Sequence, residues 1–497
     1  MIESAPFLVD DADIPALRNA VSHLARIGYC EKKIRERLRL TDLNDLLWRA
    51  LPIYRKEQLS IRDPLASAID LFLLQATIPT QELDRLFGRI GWEVLIRVGL
   101  LSVDAQDWVC ARASLFPVGN RLIFSEHAWP MLPHPGLPKV PHNQVMSVGA
   151  DSHWLARTTV RRSVDSALDL CTGSGIHALL AATHAQRVLA IDINPRAALC
   201  TYFNTRASGI TNVEIAIGDL FEPVGEERFH LITANPPFVP SPINSVGFRD
   251  GGRSGEDIQR RIVAGLPHHL APGGIAQIVT ELGERDGESL ADRLRGWLGG
   301  APMDIHILRL REYSTTSYAL GHAEGEDYGA FLDSVKDWNG NLITQGYARI
   351  VSVLLAFQWS DPAYGPPWTR SEESEPPLYD NTGIEIEAIF FAERLARHPD
   401  LYSMLARNRI RRAGKIRLFE TGVLGDELHI QTHAQSLGRA LAVQQWINPI
   451  EREILVRMKE SLALPEILAL AHELTLEEEA IFATLGSLLR RRLISLV

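Results

Sequence analysis

The stretch Asp169-Leu170-Cys171-Thr172-Gly173-Ser174-Gly175-Ile176-His177-Ala178 limits the possible folds more than any other part of the chain. Ala167 to Cys171 reads as a buried strand, the glycines as a sharp turn, and Ile176 to His184 as a helix. The spacing is G-x-G-x-x-A. Gly173 and Gly175 let the backbone turn and approach a ligand without a Cβ, and Ala178 lets the helix pack close to the strand. A second strand, Arg187 to Ile191, ends in Asp192. That acid lies 19 residues beyond Gly173 (192 − 173), the offset at which a carboxylate reaches ribose hydroxyls. Asn194 is then a natural N-cap with Pro195 at the first helical position.

Two further loops extend the pattern. Val213 to Ile217 reads as a strand followed by Gly218-Asp219-Leu220-Phe221. Phe229 to Ala234 reads as another, followed by Asn235-Pro236-Pro237-Phe238. Proline fixes φ and lacks an N–H, so the second turn is stiff and its carbonyls point outward. The Asn235 side chain and the Pro236 carbonyl can accept hydrogen bonds from a planar –NH2. The Phe238 ring can stack on the flat group that carries it. Such a corner suits an amide or an exocyclic base amine.

On these residues, with Asn204 and Pro272-Gly273-Gly274, the region from about Val148 to Leu282 resembles the class I S-adenosylmethionine-dependent methyltransferases. It is most similar to the HemK/PrmC glutamine methyltransferases, and also to the small-domain enzymes that methylate RNA amines. Gly251-Gly252-Arg253-Ser254-Gly255 matches the Gly-rich loop of the glutamine enzymes. The resemblance implies an α/β fold with a Rossmann-like sheet and S-adenosylmethionine as cofactor. It implies that Gly173 and Gly175 floor the methionine part and that Asp192 takes the ribose hydroxyls, with Ile193 on one adenine face. It also implies that Asp219 accepts from the adenine amine with Leu220 packed nearby, and that Asp169 reaches the methionine amine directly or through water. Asn235 and Pro236 hold the acceptor –NH2 beside the cofactor, and Pro237 and Phe238 contact the substrate. Two positions depart from the pattern: Phe238 stands where the glutamine enzymes usually have Tyr, and Cys171 where glycine is common. Cys171 reads as packing. Asp151 or Ser152 is a further candidate at the catalytic face, with helix capping as the plainer role.

The chain has 497 residues, enough for several domains. Its net charge of -10 argues against a generic nucleic-acid binder. No apolar run approaches the ~18 residues that a membrane span needs. The four cysteines are scattered, which argues against a metal site or disulfide framework and for a reducing cytoplasm. Residues 1–145 read as a mainly helical, winged-helix-like domain, with helices over 12–25, 32–40, 43–51, 64–76, 80–87 and 92–101. Strands over 109–115 and 121–125 flank Pro117-Val118-Gly119-Asn120 as a hairpin. Residues 146–360 form the methyltransferase domain. Residues 361–380, rich in proline and acid, read as an extended linker. Residues 381–497 read as an α+β unit, also compatible with a winged helix. The basic run Arg407 to Arg417 is a candidate for phosphate contacts, or for contact with the acidic linker or a helix C-terminus.

The sequence thus predicts an N-methyltransferase, most concretely for a glutamine side-chain amide in a protein. RNA guanine N2 or adenine N6, and a peptide or small molecule, are alternative acceptors. A degenerate, purely binding fold is the non-enzymatic alternative.

Overall fold

The computed structural model describes residues 7–46, 50–127, 143–243, 246–374, 378, 382–424, 428–437, 444–458, 460–474 and 476–496. They divide into two compact units. One comprises Met1–Ala156, Arg161–Ala301 and Arg311–Leu355, the other Arg157–Val160, Pro302–Leu310 and Ala356–Val497.

The first unit is built on a sheet whose strands include β1 (Val164–Leu170), β2 (Ala185–Asp192), β3 (Val213–Ile217), β4 (Phe229–Ala234) and β5 (Leu270–Glu284). Their order is β5-β4-β1-β2-β3, and every neighbouring pair is parallel. The apolar runs at the centre explain this layout. In β4, Phe229, Leu231, Ile232 and Ala234 are all buried, as a strand covered on both faces requires. Pro272-Gly273-Gly274 falls inside β5, where the pairing with β4 skips from Leu270 to Ile275.

The connecting helices start where local chemistry predicts. Asn194 caps Pro195–Ser208, its side chain accepting from the Arg196 N–H, and Gly209 ends the helix at φ 70°. Ile176–Ala181 begins at Gly175, and all six of its residues are buried. Both helices share one core with the N-terminal residues. Phe203 lies between Phe7 at 5.6 Å and Phe124 at 5.4 Å. Fully burying a ring of this kind contributes roughly 1.5–3 kcal/mol. Asn204 stitches the same place together. Its amide nitrogen donates to the Phe124 and Ser174 carbonyls, at 2.7 and 2.8 Å, and its oxygen accepts from the Phe124 N–H at 2.9 Å.

The N-terminal helices include Ile14–Arg26, Glu31–Leu38, Pro64–Ala68 continuing through Ile69–Leu73, and Arg89–Arg97. Three expectations are corrected here. The run 43–51 is not one helix: Leu43–Asp45 is a single 3-10 turn and the next described helical residues are 50–58, with 47–49 outside the described residues. The helix expected to reach 101 stops at Arg97, because Gly99 is left-handed at φ 75° and Leu101 opens a strand. The run 109–115 is two strands. Trp108–Ala111 joins a three-stranded antiparallel sheet, and Ser114–Val118 pairs with Arg121–Ser125 across the anticipated turn.

The second unit contains the paired part of β6 (Met303–Ser314), the last residues of β7 (Arg349–Trp359), and β8 (Thr369–Glu373). β8 pairs in parallel with β6 from Ile305↔Thr369 to Arg309↔Glu373. This corrects the reading of 361–380 as extended linker, of which 375–377 and 379–380 lie outside the described residues. Glu372 is not a solvated acid. It is buried against His306 at 3.1 Å and is salt-bridged to Arg370. Burial alone would raise its pKa, but His306 and Arg370 overcome that and hold the carboxyl down to about 2. Helices Thr382–Ala396, Leu401–Arg407, Pro449–Arg457, Leu464–Glu473 and Glu478–Arg490 enclose a core that includes Leu405, Ile454, Leu485 and Leu488. Beside it stand three antiparallel strands, β9 (Lys415–Leu424), β10 (Leu428–Leu437) and β11 (Gln444–Ile447).

Candidate functional site

The register of the sheet brings the sequence motifs to one level. Leu170 pairs with Ile191 and with Ala234, and Ile191 pairs with Ala216. The Gly-rich turn, the Asp192 turn, the Asp219 loop and the Asn235 corner therefore leave the sheet side by side. The strand order reverses between β1 and β4, and crevices at such switch points are where open α/β sheets bind ligands. A cavity of about 450 Å³ lies there, lined among others by Gly173, Asp192, Ile193, Asp219, Leu220, Asn235 and Pro237. That is the size of a small-molecule site.

Asp192 is clamped. Its two carboxylate oxygens accept from the Gly173 and Asn194 N–H groups, each at 2.9 Å, and burial raises its pKa. A fixed acceptor with spare lone pairs on a cavity wall suits a vicinal diol. Ile193 next to it is 67% exposed, an apolar face with no protein cover. Leu220 reaches the cavity from a left-handed backbone, φ 53°, and Asp219 accepts from Arg261 at 2.8 Å. The two glycines divide their work. A Cβ on Gly173 would meet nothing, so this residue leaves space, whereas one on Gly175 would lie 2.8 Å from the Thr201 methyl, so this residue permits packing. Gly175 does not line the cavity.

Cys171 has φ 55°. An L-residue pays roughly 1–2 kcal/mol in that region, which is the physical reason a glycine suits the position. Cys171→Gly is expected to raise stability by about 1 kcal/mol, read as a higher urea midpoint at unchanged slope.

Asp169 does not reach the cavity. It is 1% exposed and accepts from the Thr172 hydroxyl at 2.6 Å, the Thr233 hydroxyl at 2.8 Å and the Ala178 N–H at 3.1 Å. It braces β1, β4 and the helix behind the turn with both carboxylate oxygens. Burial pushes its pKa up to about 6. A carboxyl that ionises later in the folded protein than in the unfolded chain, where it titrates near ~3.9, favours the fold fully at low pH. It loses that contribution as pH rises through about 6. In Asp169→Asn the oxygen can keep the Ala178 N–H while the amide donates to Thr233. The variant is expected to gain about 2–3 kcal/mol relative to the parent between pH 4 and pH 7, measured by urea unfolding at both.

The Asn235 amide is held from one side. Its nitrogen donates to Asp151 Oδ2 at 2.9 Å and to Ser152 Oγ at 3.1 Å. Its oxygen has no hydrogen-bond partner among the described residues. Pro236 is buried behind the corner and Pro237 lines the cavity. Phe238 does not line the cavity but packs partly buried against the cluster of Val239, Tyr318 and Trp338.

His177 and Phe248, to which the sequence motifs assign no role, also line the cavity. His177 is 4% exposed, neither ring nitrogen has a partner among the described residues, and burial holds its pKa down to about 3. It is a neutral donor–acceptor on the wall. Its place in G-x-G-x-x-A was legible, but its lack of a protein partner was not.

A Rossmann-like sheet with this reversal, and a cavity lined by the turns after β1 to β4, is the arrangement of a class I methyltransferase domain. The family model described as methyltransferase small domain matches residues 147–295, and a domain of unknown function matches 49–112. The chain is 38% identical over 144 residues to a ribosomal protein uL3 glutamine methyltransferase of Bradyrhizobium diazoefficiens, covering 26% of this chain and 44% of that one. It is 32% identical over 152 residues to a release factor glutamine methyltransferase of Geobacter sulfurreducens, covering 27% and 53%. It is 31% identical over 145 residues to a candidate protein N5-glutamine methyltransferase of Methanocaldococcus jannaschii, covering 28% and 73%. The chain thus spans about half the length of the first two of these relatives. The chain belongs to the HemK/PrmC-like glutamine methyltransferase family of class I S-adenosylmethionine-dependent methyltransferases. The family implies S-adenosylmethionine as methyl donor. The clamped Asp192, the uncovered Ile193 and the partnerless His177 fit such a nucleoside with a polar tail. Among the described residues no helix is long and apolar enough to cross a membrane.

Proposed function

We propose that the protein transfers a methyl group from S-adenosylmethionine to the side-chain amide nitrogen of a glutamine in a protein. The observation that carries this reading is the one-sided anchoring of Asn235. Asp151 accepts only from the amide nitrogen when ionised, so Asn235 Oδ1 is turned away from it and left for an acceptor amide, with the Pro236 carbonyl as the second proposed hydrogen-bond acceptor. Two acceptors so placed fit the two hydrogens of a primary amide.

The bound cofactor supplies an activated methyl group. This chain's residues hold and orient. In the proposed roles Asp192 takes the ribose diol, Ile193 and Leu220 pack on the adenine, and Asp219 accepts from its amine. An amide nitrogen is a poor nucleophile because its lone pair is delocalised. Accepting hydrogen bonds at its two hydrogens raises the electron density on nitrogen as it pyramidalises, an electrostatic stabilisation of the transition state. Fixing the acceptor in line with the methyl supplies up to roughly 7–11 kcal/mol in favourable cases. We assign the transfer chemistry to 146–360, and substrate presentation to 1–145 and 381–497.

The test is incubation with methyl-labelled S-adenosylmethionine and separate protein, RNA and small-molecule pools. Label is expected in the protein pool alone and released by protease, at glutamine. Label that follows RNA or a small molecule instead would replace this acceptor.

A further inference from the structure

We propose that the outer face of the β9-β10-β11 sheet is a binding surface for single-stranded RNA. The alternation of the strands defines that face. Ala434 and Ile447 belong to the core of the second unit, and Ile416 and Leu418 pack against it. The alternate positions point the other way. Phe419 is directly opposite His433, and His433 is directly opposite Trp446, so three rings form one row across three strands. Phe419 and His433 are stacked, with centroids 5.3 Å apart and planes 14° apart. The Thr421 hydroxyl lies 2.8 Å from His433 Nε2 and helps hold that ring. Trp446 is 52% exposed.

The charges on this face complete the pattern. Lys415 and Arg417 occupy the two preceding outward positions of β9. Both are exposed, and neither side chain has a hydrogen bond or ion pair with a described residue. Gln435 stands opposite Arg417. Arg411 is exposed and equally unpaired just before β9. Trp446 also borders an open cleft of about 780 Å³ with Arg490 and Arg491. Three carboxylates line that cleft: Glu372 and Glu393 are salt-bridged to Arg370, and Glu373 lies 3.8 Å from Arg309. A positive, aromatic face on a chain of net charge -10 is a local departure that needs a partner with negative charge and flat rings. Single strands offer both, since bases stack on rings and phosphates meet lysine and arginine. Side-chain amides such as Gln435 suit base edges and 2′-hydroxyls. A duplex hides its base faces and cannot use the ring row. The inference is independent of the transfer chemistry, because none of these residues lines the methyl-donor cavity.

Fluorescence anisotropy of the full chain with a labelled oligouridine of about a dozen nucleotides tests the proposal, alongside DNA and duplex RNA of the same length. The single-stranded RNA is expected to bind with micromolar affinity. Trp446→Ala should weaken it at least about fivefold, and Arg417→Glu should weaken it and flatten its salt dependence. Both side chains are exposed, and an unchanged circular dichroism spectrum would confirm that the variants fold. Asn235→Ala should leave the RNA affinity unchanged. The proposal is overturned if no binding appears at about 50 micromolar protein, if the two surface variants bind like the parent, or if duplex or DNA binds as tightly. Tighter capture of a labelled polyglutamate peptide would also overturn it, by assigning the face to an acidic protein partner.

Discussion

Asn235→Ala is expected to lower methyl transfer to the protein acceptor at least about a hundredfold, with S-adenosylmethionine affinity changed no more than about threefold. Asn235 is one of many residues lining the cavity, while the nucleoside recognition proposed here rests on Asp192, Ile193, Asp219 and Leu220. Removing the amide therefore removes an interaction made with the acceptor nitrogen as its charge changes, not the binding of the donor. Asp151→Asn sharpens the test. It conserves shape, but an amide at 151 can donate as well as accept, so it no longer dictates that Asn235 turns its nitrogen inward. A drop of about tenfold in kcat with unchanged donor affinity is expected for Asp151→Asn. Asp151→Ala leaves Ser152 as the only anchor and should fall between the two asparagine variants. Single-turnover transfer and calorimetric titration of the donor separate the effects. If Asn235→Ala keeps full turnover on the true acceptor, the amide-holding role of the corner is wrong.

The parts of this site that were legible in the sequence are those fixed by backbone constraints. Gly-rich turns, an Asx cap followed by proline and a diproline corner each impose local geometry whatever surrounds them, and β3 and β4 have the bounds their apolar runs imply. Side-chain roles decided by distant partners were harder to read. Asp169 looked like a ligand contact because it sits beside the glycines, yet Thr172, Thr233 and Ala178 use its oxygens. Phe238 looked like a stacking platform because it ends the tetrapeptide, yet Tyr318 and Trp338, some 80 and 100 residues away in sequence, take it into their cluster. Thr369–Glu373 looked like linker because its acids and flanking prolines resist packing, but Arg370 pairs with Glu372, His306 lies 3.1 Å from it, and the strand can pair. In each case at least one deciding partner, Thr233, Tyr318 or His306, lay outside any local window.

The second large effect is expected at Gly255, which does not line the cavity but packs against the backbone that follows Asn235. The chain after Asn235 is held by the loop behind it. The Phe238 and Val239 N–H groups donate to the Arg249 carbonyl at 3.1 and 2.9 Å, Gly251 N–H donates to Val239 O at 2.9 Å, and Ser241 N–H donates to Gly252 O at 3.0 Å. Glycine is required for this closeness. A Cβ on Gly255 would lie 2.5 Å from the Phe238 carbonyl oxygen and 2.9 Å from Pro240 N, both backbone atoms that cannot swing aside, and Gly255 is left-handed at φ 72°. Gly273 supplies a matched control. Its φ is also 72°, but a Cβ there would meet nothing within 4 Å. Gly273→Ala should therefore show only the backbone term, about 1 kcal/mol of lost stability with transfer intact. Gly255→Ala adds a backbone clash and should lose about 2–4 kcal/mol. It should also reduce transfer at least about tenfold, because displacing the Phe238 carbonyl shifts Pro237 and Asn235 on the same stiff corner. Urea unfolding and single-turnover assays on the two variants, at a temperature where both remain folded, separate the contributions. Equal stability losses, or full transfer by Gly255→Ala, would show that the loop does not set the position of the corner.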